Sequence, residues 1–247
     1  MARHPLDPVF DALPSELPIF PLTGALLLPG GALPLNIFEI RYLNMVAAAL
    51  GQGRAIGMIQ PRLIDSDVES PKASDVPVYE VGCMGRITAF QETDDGRFTV
   101  NLRGLIRFAI DEELTLKDGY RRVRPDYSSF RDDLENRAQF FSHDPTPAGS
   151  TSDRTADRPA DQWIDRVRLI GCVKNYFETQ KMSVDWEAVE RSPDDVLVTT
   201  LASVCPFSSA DQQALLESRT IGLRAKMLIG LIEASVLANG FDRPSRH

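Results

Sequence analysis

Residues 20–39, "FPLTGALLLPGGALPLNIFE", place Pro21, Pro29 and Pro34 in a nearly uncharged run. A continuous helix is excluded, because each proline lacks a backbone donor and fixes its own φ. A central strand is excluded as well, since proline survives in sheets at edges, strand ends and bulges. The stretch is therefore expected to open a β-rich domain through edge strands, irregular strands or strand ends and then turn into a short helix. That helix is read from "NIFEIRYLNMVAAALGQG", where Leu43, Val46, Ala47 and Leu50 recur at helical spacing. Asn36 with Glu39 has the form of a capping box, and Gly51 has the form of a stop.

The text on either side fits this reading. Residues 1–16 hold prolines and scattered acids and are expected to be a tail. "RAIGMIQ" reads as a buried strand, and residues 61–77 read as a polar loop. "YEVGCMGRITAFQ" and "FTVNLRGLIRFAI" flank Asp95-Gly96, a strong hairpin signal. Phe98, Val100 and Leu102 alternate with Thr99, Asn101 and Arg103, the period of a strand with one buried face. Gly104 interrupts that period, as at a bulge or corner, and Leu105–Ile110 is expected to begin a further strand. "YRRVRPDY" adds another, so residues 17–127 are expected to form a small closed or half-closed barrel.

Residues 128–160 are rich in Ser, Thr, Asp and Pro and are expected to be a mobile linker. From 161 to 240 the periodicity is helical. One stripe is read through Trp163, Val167, Ile170 and Phe177, widened by Ile164, Val173 and Tyr176. A second runs through Val196, Leu197, Thr200, Leu201 and Val204, after a start at Ser192 and Pro193. Ser209 with Gln212 reads as a capping box, and the last helix presents Leu223, Met227, Leu228, Leu231, Ile232 and Val236. Residues 241–247 read as a tail. The fold class expected from the residues is α+β, β-rich first and helical second.

Chemistry is sparse. With 247 residues, 43% of them hydrophobic, the chain is long enough for a substantial core. Its net charge of −8 counts against a phosphate backbone as partner. Cys83, Cys172 and Cys205 lie at no metal-ligand spacing and read as reduced core thiols of a cytoplasmic protein. The N-terminus lacks a signal-peptide core, and no apolar run reaches membrane-spanning length, so no membrane association is expected. There is no phosphate-binding glycine loop and no nucleophile elbow. His4, His143 and His247 fall in tails or linker, which leaves no catalytic, cofactor or metal residues to name. Asp94-Asp95 reads as a turn, Asp132-Asp133 as a solvated loop and Asp194-Asp195 as a helix start.

As a set, "LPIFPL", "LLPGGALPLNIFEIRY", "IGMIQ", "VGCMGRITAFQETDDGRFTVNLRGLIRF" and "DQQALLESRTIGLRAKMLIGLIE" resemble, in order and spacing, the Lon-protease N-terminal or substrate-binding domain. The resemblance covers about residues 17–235; Ile40 departs from it, since many relatives have proline after "FE". It implies a PUA-like pseudo-barrel followed by a helical bundle. A chain that stops at His247 is similar to the free-standing bacterial members without ATPase and peptidase modules. The implied role is non-catalytic binding of unfolded or client polypeptides, adaptors or protease-related proteins. Ile19, Phe20, Leu28, Phe38, Tyr42 and Met45 are the candidate peptide-binding residues. The alternative is a PUA-like RNA-binding module, which would require a basic patch through Arg103, Arg107, Arg121, Arg122 and Arg124. Homo-oligomerisation is left open.

Overall fold

The computed structural model describes residues 5–62, 76–135, 163–180 and 184–241. The expected polar loop lies outside these residues over 63–75, the expected mobile linker over 136–160, and the C-terminal tail over 242–247. The three histidines lie outside them as well. The fold is α+β and divides into two compact units.

The β-rich unit contains β1 (Leu17–Pro21), β2 (Ala32–Ile37), β3 (Ala55–Ile59), β4 (Val81–Glu92), β5 (Phe98–Lys117) and β6 (Tyr120–Asp126), with helix α1 (Ile40–Gly51) between β2 and β3. The strand order is β2-β5-β4-β3-β1-β6, and β6 also pairs with β5. Five strands thus close on themselves, and among the described residues β2 is attached to β5 alone. β1 runs parallel to β3, with Ile19 opposite Gly57; the other ladders are antiparallel.

β5 is one strand of 20 residues, where two were expected. It serves three partners by bending at bulges, with register shifts opposite Met84/Gly85 and Ile87/Ala89 and again near Ile110/Glu112. Gly104 stands at the first bend. A Cβ there would lie 2.1 Å from the Leu28 carbonyl oxygen, so only glycine lets residues 28–31 close onto the strand. Gly96, at φ +79°, completes the expected hairpin turn between β4 and β5.

The barrel is filled by Leu17, Ile19, Ile59, Met84, Leu105, Ile106, Phe108 and Val123, with Tyr127 at one end. Residues 128–135 are not linker but a 3-10 turn, Ser128–Phe130, and a short helix α2, Asp132–Glu135. Asp133 is not a solvated acid: it accepts from Arg107 Nε at 2.9 Å and Nη2 at 2.8 Å, with the Arg107 side chain 6% and the Asp133 side chain 10% exposed. The expected N-terminal tail is also packed, through Asp7, Phe10 and Leu13.

Helix α1 begins one turn later than a cap at Asn36 would give. Asn36 is in β2, Glu39 is the N-cap without a side-chain cap bond, and Ile40 is the first helical residue. The Glu39 carboxylate instead accepts from Arg41 Nη2 at 2.6 Å.

The helical unit contains α3 (Arg166–Thr179), α4 (Trp186–Arg191), α5 (Asp194–Val204) and α7 (Ile221–Phe241). α3 buries Leu169, Cys172, Val173, Tyr176 and Phe177; Val167, expected inside, is 86% exposed. α5 buries Leu197, Val198, Leu201 and Ala202 and leaves Val196 and Val204 in solvent, one step around the helix from the expected stripe. α7 buries Ala225, Leu228, Ile229 and Ile232 and exposes Leu223 and Met227. Pro193, rather than Ser192, occupies the N-cap of α5; Ser192 Oγ donates to Ala188 O at 2.7 Å.

The remaining helix, α6 (Ser209–Glu217), belongs over Ser208–Leu216 to the β-rich unit, although its position in the chain groups it with the bundle. Its cap is Ser208 with Asp211, one residue before the expected pair. Gln212 accepts from Gln60 Nε2 at 3.0 Å, Gln213 Nε2 donates to Val81 O at 3.0 Å, and Leu216 O accepts from Arg107 at 3.2 Å. Polar side chains dock this helix beside the buried Leu215 and Leu216.

Candidate functional site

Of the three prolines expected to keep an edge open, only Pro34 lies on one, in β2. β1, which ends at Pro21, pairs on both sides, with β3 and β6, because the proline sits at the strand's end, and Pro29 precedes β2. Gly104 N donates to Gly31 O at 2.9 Å, and Gly30 N donates to Gly104 O at 3.0 Å. Alternation along the register then turns the backbone groups of Leu33, Leu35 and Ile37 toward β5. Those of Ala32, Pro34 and Asn36 turn the other way, where β2 has no strand partner among the described residues. Pro34 therefore leaves the β2–β5 ladder intact and removes one donor from the open edge.

Beside this edge lies a groove of about 520 Å³. β2 from Leu33 to Ile37 and the following Phe38 form one wall. Phe20 and Tyr42 form the floor, with ring centroids 4.1 Å apart. Pro21, Leu22, Pro61 and Val76 also line it. The charged rim is mostly self-neutralised: Arg41 pairs with Glu39 and lies 4.5 Å over the Tyr42 ring. Burial, the largest effect, pushes the Tyr42 hydroxyl above its ordinary value, so the floor stays neutral. Phe38 is 64% exposed and is approached by Arg97 at 5.9 Å.

Of the six expected peptide-binding residues, Phe20, Phe38 and Tyr42 meet at this groove. Ile19, Leu28 and Met45 do not line it; each is completely buried. Leu33, Leu35 and Ile37 were not singled out by sequence, although "ALPLNI" carries the alternation that places them on one face. Pro61 and Val76 have no local signal, because their place depends on the chain returning after residues 63–75.

The arginines that would make a basic patch are each engaged by an acid. Arg103 pairs with Asp7, Arg107 with Asp133, Arg121 with Glu113, Arg122 with Glu16 and Arg124 with Glu112. Cys83, Cys172 and Cys205 are buried free thiols. Burial pushes Cys172 and Cys205 up to about 11, the reverse of what a nucleophile needs. Among the described residues, no helix is long and apolar enough to cross a membrane.

The groove sits in a fold shared with solved structures. The Lon N-terminal domain protein from Xanthomonas campestris matches with a TM-score of 0.52 at 19% identity, over 87% of this chain and 97% of that one. The N-terminal domain of the Mycobacterium avium complex Lon protease matches with a TM-score of 0.53 at 16% identity, over 88% of this chain and 98% of that one. In sequence, Lon protease 2 of Thermus thermophilus is 27% identical over 91% of this chain and 25% of its own length. Lon protease of Flavobacterium johnsoniae is 30% identical over 53% of this chain and 15% of its own length. The chain thus spans a quarter or less of these relatives. The family described as the ATP-dependent protease La (LON) substrate-binding domain matches residues 16–234, barrel and helices together, and the chain belongs to that family.

Proposed function

We propose that the chain is a polypeptide-recognition module, holding extended apolar segments of unfolded clients or adaptors without chemistry of its own. The observation that carries this reading is the apolar groove beside the open edge of β2. A bound segment finds outward-facing backbone groups of Ala32 and Asn36 and apolar side chains of Phe20, Phe38 and Tyr42. We assign no ATPase or peptidase activity, since the sequence holds no phosphate cradle and burial holds Cys172 and Cys205 in the thiol form. The pairing of the five arginines supports polypeptide over nucleic acid as partner. Three free thiols fit a reducing compartment, and we place the chain in the cytoplasm.

Phe38 is the residue to change, because its exposure lets it be replaced without opening the core. Covering its ring in a complex contributes about 1.5 kcal/mol, or roughly a tenfold change in affinity. Phe38→Ser should therefore weaken binding of an unfolded model polypeptide about tenfold, read by fluorescence anisotropy, with an unchanged circular dichroism spectrum. Equal binding by the folded variant and the parent would move the site elsewhere.

A further inference from the structure

Residues 5–16 precede the first strand, yet three side chains seat them on the barrel. Asp7, with its side chain 6% exposed, accepts from Arg86 Nε at 2.9 Å and from Arg103 Nη2 at 2.5 and 2.6 Å. Phe10 and Leu13 pack against the core cluster that includes Leu17 and Tyr127. The Arg131 guanidinium lies 3.7 Å over the Phe10 ring. The anchors fall three residues apart, at 7, 10 and 13. After them, Pro14 stiffens the short connection into β1, and its carbonyl accepts from the Tyr127 hydroxyl at 3.3 Å.

We propose that the surface beneath residues 5–13 is a segment-binding site, and that its occupant in trans is the same segment of a second copy of this chain. Two copies then form a dimer by exchanging N-terminal straps. The recognition is chemical and local: two guanidinium groups converge on one carboxylate, and an aromatic and a leucine follow at fixed spacing. Because the three anchors lie within a few consecutive residues, a second copy delivers them as one piece and rebuilds every one of these contacts. In dilute solution the tethered strap wins by its high effective concentration, so exchange belongs to concentrated protein. This goes beyond the groove reading and shares neither Phe38 nor Tyr42 with it.

A charge exchange tests it in the full chain. One copy carries Asp7→Lys, which faces its own Arg86 and Arg103. The other carries Arg86→Met with Arg103→Glu, which faces its own Asp7. Each alone is mismatched, whereas an exchanged pair restores an opposite charge at both sites. The expected result is monomer mass for each variant alone and a doubling of mass by light scattering on mixing; a mixture that stays at monomer mass overturns the proposal. Should either variant fail to fold, a labelled peptide of residues 5–14 is titrated onto the full chain carrying Phe10→Ser, whose strap is loosened. It should bind at least tenfold tighter than to the parent chain, and lose that binding when the peptide carries Asp7→Asn. No binding, or equal binding to both chains, overturns the site. Equally tight binding of an acidic peptide with aromatics at other spacings overturns the second copy as occupant. Either failure leaves the Phe38 test of the groove untouched.

Discussion

Gly104 is a single residue on which the groove's shape depends. Its missing side chain lets the loop after β1 lie on β5, and that loop supplies Leu22, Thr23 and Ala25 to the groove. In Gly104→Ala the new methyl would meet the Leu28 carbonyl oxygen at 2.1 Å, and backbone, unlike a long side chain, has little room to yield. Destabilisation of about 3 kcal/mol is expected. The urea midpoint should fall with an unchanged slope, and polypeptide affinity should fall with it as the loop lifts. Stability equal to the parent's would mean that the loop moves freely and does not shape the site. The charged residues teach the converse lesson. Asp7 and Asp133 look solvent-bound in sequence, yet Asp7 is buried and the Asp133 side chain nearly so, each paired to an arginine 79 or 26 residues away. Such pairing is non-local and leaves no periodic trace in the chain.

Whole elements were legible where a local rule decides them. The β4–β5 hairpin follows from Asp95-Gly96 and from the alternation through Val100 and Leu102, and its ladder runs through the expected residues. That Phe20, Phe38 and Tyr42 line one groove was reachable for a similar reason, since they are large apolar groups beside a proline-broken strand. Helix faces were less legible. Val167, Val196 and Val204 sit in apolar sequence on more than one side of their helices, and only the neighbouring helix decides which side is covered. Placing α6 against the barrel was out of reach, because Gln212 and Gln213 on its buried side read as surface residues. The helices of the second unit carry a pH prediction. Cys172 in α3 and Cys205 after α5 are raised from 9.0 to about 11, chiefly by burial. The folded state therefore holds these protons more tightly than the unfolded state does. Their contribution is complete below about pH 9 and is lost as pH rises toward 11. After allowance for solvent screening this is about 1 kcal/mol per thiol. Cys205→Ala should flatten the alkaline loss of stability relative to the parent. Identical slopes would show that other groups control it.

Taken as a whole, the molecule combines a net charge of −8 with arginines that are spoken for by acids, and its candidate site is apolar. These facts set how binding should respond to salt. A protein that holds nucleic acid releases counterions from the backbone, and its affinity falls by about 10³–10⁵ between ~50 and ~200 mM salt when six to ten phosphates are contacted. A segment held by Phe20, Phe38 and Tyr42 and by backbone groups of β2 releases few ions, and its apolar contribution is insensitive to such concentrations. Unfolded polypeptide should thus bind with less than about a threefold change across that salt range, and with a negative heat-capacity change from apolar burial. A basic polypeptide should show a modest extra loss, because the acidic surface attracts it at long range and salt screens that attraction. Single-stranded RNA should bind far more weakly at every salt concentration. The measurement is isothermal titration with both partners at low and high salt. If RNA binds more tightly than unfolded polypeptide at low salt and its affinity then collapses, the paired arginines are available after all and the groove is not the principal site.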